Sequence, residues 1–162
     1  MYISHQKKFI FIHIPKNAGT TIKSLISHYI DENRYTIRGE DVKKIGNYPS
    51  HKLFNRDLRE KYKNYYVFAF VRNPWAWVLS VYNFTRQRKP QFAKQFKTFA
   101  SFVATKATSD SRQQEEWVHD ENGNQIVDFI GKFENLSEDL DFVFKKLNIP
   151  MPVNGLPHYK NS

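Results

Sequence analysis

A polar loop that directly follows an apolar run has the residue types of an anion-binding loop. Its residues are Pro15, Lys16, Asn17, Ala18, Gly19, Thr20 and Thr21. The lysine supplies a positive charge, the threonines supply hydroxyl donors, and the glycine lets the backbone turn tightly and approach a ligand. Apolar residues from Ile22 to Ile30 then recur at helical spacing, and the unpaired N–H groups at a helix start favour a phosphate. The loop is therefore predicted to hold a phosphate-like anion.

A second group of anion-binding side chains is predicted at the end of the next buried strand. Arg72 directly follows the apolar run 65–71, and Ser80 lies eight residues later in a helix that Asn73 and Pro74 begin. The planar guanidinium of arginine donates paired hydrogen bonds to phosphate. Two anion sites at neighbouring strand ends suit a nucleotide with phosphates at both ends of its ribose. The predicted apolar face of this helix consists of Trp75, Val78, Leu79 and Tyr82.

The first loop differs from that of an ordinary nucleotide-hydrolysing enzyme. Its lysine precedes its glycine, the sequence Gly-Lys-Ser/Thr is absent, and no clear magnesium-binding aspartate ends a buried strand. No set of histidine, aspartate and glutamate residues has convincing metal-ligand spacing, so no metal is expected.

Predicted strands alternate with predicted helices along the chain. The strands are residues 8–14, 65–71 and 126–130. Helices follow the first two strands, another lies around residues 99–103, and a last one runs from a Ser137 cap to Asn148, whereas residues 106–125 are predicted to be a long loop. This order predicts an α/β, three-layer sandwich with a central parallel sheet, and such sheets bind ligands at the carboxyl ends of their strands.

Composition sets the broad class of the protein. The 162 residues suffice for a single domain over 1–162, and the absence of cysteine excludes disulfides and thiolate metal sites. No apolar run reaches the ~18 residues of a membrane span, and the first residues lack a signal-peptide core, so we expect a cytoplasmic protein without an integral membrane segment. The net charge of +9 favours an anionic partner, but no nucleic-acid reader motif is present.

Both loops resemble the cofactor motifs of sulfotransferases, and the similarity is strongest to sulfotransferase family 2. The stretch from Ile14 to Thr21 resembles the 5′-phosphosulfate loop, and Phe70 to Tyr82 resembles the 3′-phosphate motif. The segments that resemble the bacterial branch of the family are 114–117, 120–123, 127–136 and 156–162. The resemblance therefore runs along the whole chain in the expected order.

The resemblance implies a P-loop-like sulfotransferase fold and the cofactor 3′-phosphoadenylyl sulfate, PAPS, whose desulfated product is PAP. Residues 15–21 would then bind the 5′ side of the cofactor, and Arg72 and Ser80 would bind its 3′-phosphate. Such an enzyme moves the sulfuryl group to a hydroxyl acceptor, here predicted to be a carbohydrate. Lys16 would stabilise charge on the leaving phosphate oxygen.

The sequence departs from the family pattern in two places. Family members often carry a second arginine five residues after the first, where this chain has Trp77. Either this replacement weakens the 3′ site, or Trp77 is a core residue. Members also commonly continue for some tens of residues past the region that ends here at Ser162. We therefore expect the domain to lack the usual C-terminal segment, with activity more affected than fold.

A general base is also required, because the acceptor hydroxyl must lose its proton. His51 is the best candidate among the six histidines: it follows a turn between the two cofactor loops, where carbohydrate sulfotransferases place a Gly/Ser-His. His13 is predicted to be a buried, hydrogen-bonded residue, and Glu134 a carboxylate at a helix end. His119 and His158 are weaker candidates for substrate contact.

Two other functions remain open at this point. A P-loop kinase of a small molecule would need magnesium and ATP, and a catalytically inactive module would bind PAP or a partner without turnover. The basic stretch from Arg86 to Lys89 either grips an acidic glycan or is a solvated face.

Overall fold

The structure, a computed structural model, describes residues 1–31, 56–88, 90–110, 113–120, 122–152 and 156. In this part of the chain four strands form one sheet in the order β1-β2-β3-β4. The strands are β1 (Tyr2–Ser4), β2 (Phe9–Ile12), β3 (Tyr66–Val71) and β4 (Phe129–Lys132). Strands β2, β3 and β4 are parallel, and β1 pairs antiparallel with β2 at the edge.

Helices connect and cover these strands. They are α1 (Gly19–Ile26), α2 (Arg56–Lys61), α3 (Pro74–Arg88), α4 (Pro90–Ala93), α5 (Phe99–Asp110), α6 (Gln113–Glu116) and α7 (Leu136–Leu147). Short 3₁₀ turns extend α1 over Ser27–Tyr29 and precede α7 over Phe133–Asn135. Among the described helices, none has the length and apolar character that crossing a bilayer requires.

The two central strands are apolar on both faces because both faces of the sheet are covered. Alternate residues of β2 and β3 form two separate cores. One core joins Phe11 and Phe68 to the apolar faces of α1 and α7, and the other joins Ile10 and Val67 to Val118 and its neighbours. The predicted α/β architecture is confirmed, with the parallel strands at its centre.

The predictions for two strands and for the loop over residues 106–125 differ from the structure. Edge strand β1 was not predicted, because three residues are too few to establish a period of two. Strand β4 begins at Phe129, three residues later than predicted, because Ile126 and Val127 leave the ladder to pack in the second core. The predicted loop over residues 106–125 is wrong in its first part, where the structure has the end of α5 and all of α6.

The ends of two helices test the predicted caps. Asn73 Oδ1 accepts hydrogen bonds from the backbone N–H of Trp75 at 3.0 Å and of Ala76 at 3.3 Å, so its role as the cap of α3 is confirmed. Asn148 ends α7, as predicted, and the structure shows it in the left-handed conformation. The predicted Ser137 cap is wrong, since α7 already begins one residue earlier, after a 3₁₀ turn.

The buried face of α3 also differs from the prediction. Trp75 is 73% exposed and Leu79 is 46% exposed, whereas Trp77, Val78 and Ser80 are buried. Periodicity alone could not choose between two neighbouring faces of a helix that is rich in aromatic residues throughout. The face that turns inward is the one that carries the predicted anion ligand Ser80.

Candidate functional site

The two predicted loops lie at the same edge of the sheet and touch. Strands β2 and β3 are parallel neighbours with Ile12 opposite Ala69, so both loops leave from their carboxyl ends. The side-chain amide of Asn17, which is 1% exposed, donates a hydrogen bond from Nδ2 to the carbonyl oxygen of Phe70 at 2.9 Å. The first loop is therefore fastened directly to the strand that ends in Arg72.

The turn in the first loop is made by residues other than its glycine. Lys16 and Ala18 have φ values of 70° and 59°, in the left-handed region, while Gly19 is the first residue of α1 and has no positive φ. Left-handed non-glycine residues are uncommon and strained, and they concentrate at functional sites. The prediction that Gly19 supplies the tight turn is therefore wrong.

A glycine is needed at position 19 because the His13 ring occupies the space that a side chain would fill. A Cβ atom at Gly19 would overlap the His13 imidazole. That ring also stacks on Phe11 and Tyr2, at centroid distances of 6.0 and 5.9 Å. Burial, and then the positive charges of the amino terminus and Lys23, lower the pKa of His13 to about 4. His13 is thus a neutral packing residue under the loop at pH 7.

The start of α1 leaves donors available to a ligand. Ala18 occupies the N-cap position and provides no side-chain cap, and Ile22 N–H makes the first bond back, to the Ala18 carbonyl at 3.0 Å. The N–H groups of the preceding residues of the helix therefore lack helical acceptors. Thr20 is exposed at this end and Thr21 is buried. Such an uncapped helix start, with its dipole, attracts an anion.

Trp77 ties helix α3 to the first loop. Its indole Nε1–H donates a hydrogen bond to the carbonyl oxygen of Pro15 at 2.9 Å. The ring is 6% exposed and belongs to a core cluster with Val78 and Phe102. The residue in place of the family's second arginine is therefore a core residue that also fixes the loop.

Two cations of the site rest on aromatic rings. Lys16 Nζ lies 4.6 Å from the centre of the Phe84 ring, and the Arg72 guanidinium carbon lies 4.1 Å from the centre of the Phe133 ring. Burial, and then the positive charge of Arg72, lower the pKa of Lys16 below its ordinary value. The two charges are thus close enough to repel each other, which an anion placed between them would relieve.

Three buried polar atoms have no hydrogen-bond partner within the part of the chain that the structure describes. They are Asn17 Oδ1, Arg72 Nε and Ser80 Oγ. An unsatisfied buried polar group costs about 1–3 kcal/mol, and one cause is a missing ligand. Arg72 Nε and Ser80 Oγ can both donate to an anion, so they fit the predicted 3′-phosphate pair. Asn17 Oδ1 only accepts, so an anion would not satisfy it.

Gln114 connects the two loops, a role that no local sequence pattern predicts. Its Oε1 accepts hydrogen bonds from Asn17 Nδ2 at 2.7 Å and from the Arg72 backbone N–H at 2.8 Å. Its Nε2 donates to the Arg72 carbonyl oxygen at 2.9 Å. The available signal was the resemblance of segment 114–117 to the family, which does not reveal what the side chain touches.

The remaining predicted residues fall into two groups. Glu134 Oε1 accepts a hydrogen bond from the Asn73 backbone N–H at 2.7 Å, so it lies at the start of helix α3. His119 forms an isolated antiparallel β-bridge with Gln125, and its Nδ1 lies 3.1 Å from the Glu115 carbonyl oxygen. The predicted base His51 and also His158 lie outside the described residues. Within the described ranges, no cluster of three or more potential ligands could hold a metal ion.

The fold and this edge define an α/β protein in which side chains that could bind an anion gather at the carboxyl ends of parallel strands. The sequence model of the sulfotransferase family matches residues 1–162, and the protein belongs to this family. The predicted resemblance to family 2 is thereby confirmed.

Two curated proteins are similar to this chain. An uncharacterised protein of Archaeoglobus fulgidus is 36% identical over 104 residues, which are 63% of this chain and 83% of that protein. Carbohydrate sulfotransferase 14 of Danio rerio is 24% identical over 183 aligned positions, which cover 93% of this chain and 49% of the fish protein. The chain thus spans about half the length of that sulfotransferase. No solved structure matches the chain significantly.

The contact between Gly19 and His13 predicts a coupled pair of substitutions. Gly19→Ala should destabilise the protein by about 1–3 kcal/mol, because the new methyl group displaces the stacked ring. In a His13→Ala background the same change should be neutral or stabilising by up to about 1 kcal/mol, since alanine favours helix. Urea unfolding of the four proteins measures the coupling. Equal costs of Gly19→Ala in both backgrounds would contradict this account.

Proposed function

We propose that the protein transfers the sulfuryl group of PAPS to a hydroxyl group of a carbohydrate acceptor. The observation that carries the proposal is that Arg72 Nε and Ser80 Oγ are buried donors without a hydrogen-bond partner among the described residues, and that the first loop leads into a helix whose N-cap residue makes no side-chain cap. These are two anion positions on neighbouring strand ends, as a nucleotide with 5′ and 3′ phosphates requires. Membership of the sulfotransferase family supports the same class of reaction.

The 5′ side of the cofactor is assigned to the first loop, residues 15–21. The backbone N–H groups of Gly19, Thr20 and Thr21 and the threonine hydroxyls would donate to it. Pro15, Asn17 and Ala18 shape the loop: Pro15 is bound by Trp77, Asn17 by Phe70, and Ala18 takes the left-handed turn. The family's second arginine is thus replaced by a residue that supports the 5′ loop.

The 3′-phosphate is assigned to Arg72 and Ser80. The guanidinium is already oriented by the Phe133 ring, and its backbone is held by Gln114. Charge-assisted hydrogen bonds to a phosphate contribute roughly 1.5–3 kcal/mol each, which offsets the cost of leaving these donors unpaired without ligand.

The reaction divides between the cofactor and two side chains. Bound PAPS would supply a sulfuryl group activated for transfer to the acceptor hydroxyl, with PAP as the other product. Lys16 stabilises the negative charge on the leaving phosphate oxygen, and its position beside Arg72 strengthens that attraction. His51 is assigned as the base that takes the acceptor proton; it lies outside the described residues.

A carbohydrate acceptor is proposed from the relative and from charge. The fish relative is named a carbohydrate sulfotransferase. Helix α3 ends in the exposed residues Arg86 and Arg88, beyond the Phe84 ring on which Lys16 rests. An acidic glycan is therefore the acceptor that the surface favours.

The cofactor assignment predicts a nucleotide preference. At a hundredfold excess over its Kd, PAP should stabilise the protein by about 2.7 kcal/mol, and for a chain of this size each kcal/mol raises Tm by about 2–4 °C. Thermal unfolding should show this shift with PAP and none with Mg·ATP. A shift with Mg·ATP alone would instead support the kinase alternative.

Substitutions should separate binding from chemistry. Lys16→Ala should lower turnover of PAPS at least ~10²-fold, and Arg72→Ala should mainly weaken PAP binding, by about 10- to 100-fold. His51→Ala should lower turnover by about 10²–10⁴-fold with PAP binding intact, and the exposed His28→Ala is its control. Labelled PAPS with a panel of glycans measures turnover. Full activity in His51→Ala would contradict the base assignment, and PAP binding without any sulfated product would support the inactive module.

The lowered pKa of Lys16 predicts a pH dependence of cofactor binding. Only the charged ammonium attracts phosphate, so PAP affinity should be complete below this lowered pKa and fall as pH rises through it. Lys16→Arg keeps its charge over the whole range, so its affinity should stay level. Calorimetric titrations with PAP from about pH 7 to 10 compare the two proteins. Parallel curves would show that Lys16 does not contact the phosphate.

A further inference from the structure

We infer that Gln114 is a positioning residue that sets the distance between the two anion-binding loops. This inference rests on the proposed function, because it concerns how one nucleotide reaches both loops. Gln114 is itself 8% exposed and therefore held inside the protein. It would act on the cofactor only through Asn17 and Arg72.

Gln114 makes hydrogen bonds to both loops, as this role requires. Toward the second loop, its amide pairs with both the N–H and the carbonyl of Arg72, as a neighbouring strand would. Toward the first loop, the same Oε1 accepts from the side chain of Asn17. A single rigid amide is thus bonded to both loops, and a shift of either one strains or breaks a bond to it.

The strand alone does not fix the second loop. Asn17 also donates to Phe70, but this carbonyl lies within β3, whereas Arg72 is the first residue beyond the end of the strand. Beyond that end the hydrogen bonds between strands no longer hold the backbone of Arg72, and hydrogen bonds to Gln114 hold it instead. Gln114 is carried by α6, and the next turn is anchored by Val118, which is 2% exposed in the second core. Gln114 is therefore attached to the core of the protein.

A fixed spacing matters most for a ligand that touches both loops. When one phosphate is bound, the other is presented at a high effective concentration only if the second loop lies at the matching distance. PAP would engage both loops, 5′-AMP only the first and 3′-AMP only the second. Loss of the Gln114 amide should therefore weaken the binding of PAP far more than the binding of either monophosphate.

The experiment compares these three nucleotides on Gln114→Met, which keeps the length of the side chain but removes its amide. Calorimetry gives the affinity for PAP, and displacement of PAP gives the affinities for 5′-AMP and 3′-AMP. We expect PAP to weaken at least about tenfold and each monophosphate by less than about twofold. Gln125→Met is the matched control, since Gln125 also donates to a backbone carbonyl, that of Val127 at 2.7 Å, but touches neither loop. Its three affinities should stay at the wild-type values.

Other outcomes overturn the inference. A role in general stability predicts that all three nucleotides weaken equally, and no role predicts unchanged PAP affinity. If Gln114→Met does not fold, Gln114→Asn replaces it, because this shorter amide stays polar but cannot reach all three partners, and the same pattern is expected. If wild-type protein binds no PAP, the proposed function fails together with the inference; if it binds PAP and the losses are equal, only the inference fails.

Discussion

The hydrogen bond from the Asn17 amide to the Phe70 carbonyl is the contact on which the rest of the site depends. It joins the loop after β2 to the neighbouring strand β3, in a region where both partners are buried. Because parallel strands end at the same edge, two loops that are more than fifty residues apart in sequence become one surface. A buried amide without this partner would be costly, so the fold itself enforces the juxtaposition.

The candidate site combines a frame of side chains held by contacts within the protein with buried donors that have no partner among the described residues. The frame consists of side chains already in contact: Trp77 on Pro15, Gln114 on Arg72, and His13 under Gly19. In contrast, Arg72 Nε and Ser80 Oγ are buried and have no hydrogen-bond partner among the described residues. Such an arrangement sacrifices some stability, and an anion that bound here would meet donors already in position.

The parts that were predictable are those in which local pattern and local chemistry coincide. Strands β2 and β3 are continuous apolar runs, and the polar loop 15–18 follows β2. The Asn73-Pro74 cap is a signal carried by two neighbouring residues. Edge strand β1 is too short to carry a pattern, and helix α3 offers two apolar faces. The role of Gln114 was not predictable, because a buried glutamine looks like a surface glutamine until its partners are known.

The sequence by itself determined the class of fold, the two loops and the residue types that can bind an anion, since these depend on short stretches of neighbouring residues. The tertiary structure decided which residues act together. It assigned the tight turn to Lys16 and Ala18 and the small residue at Gly19 to the His13 ring, and it made Trp77 a support of the first loop. These are contacts between residues distant in sequence, which depend on strand order and packing that no local pattern encodes.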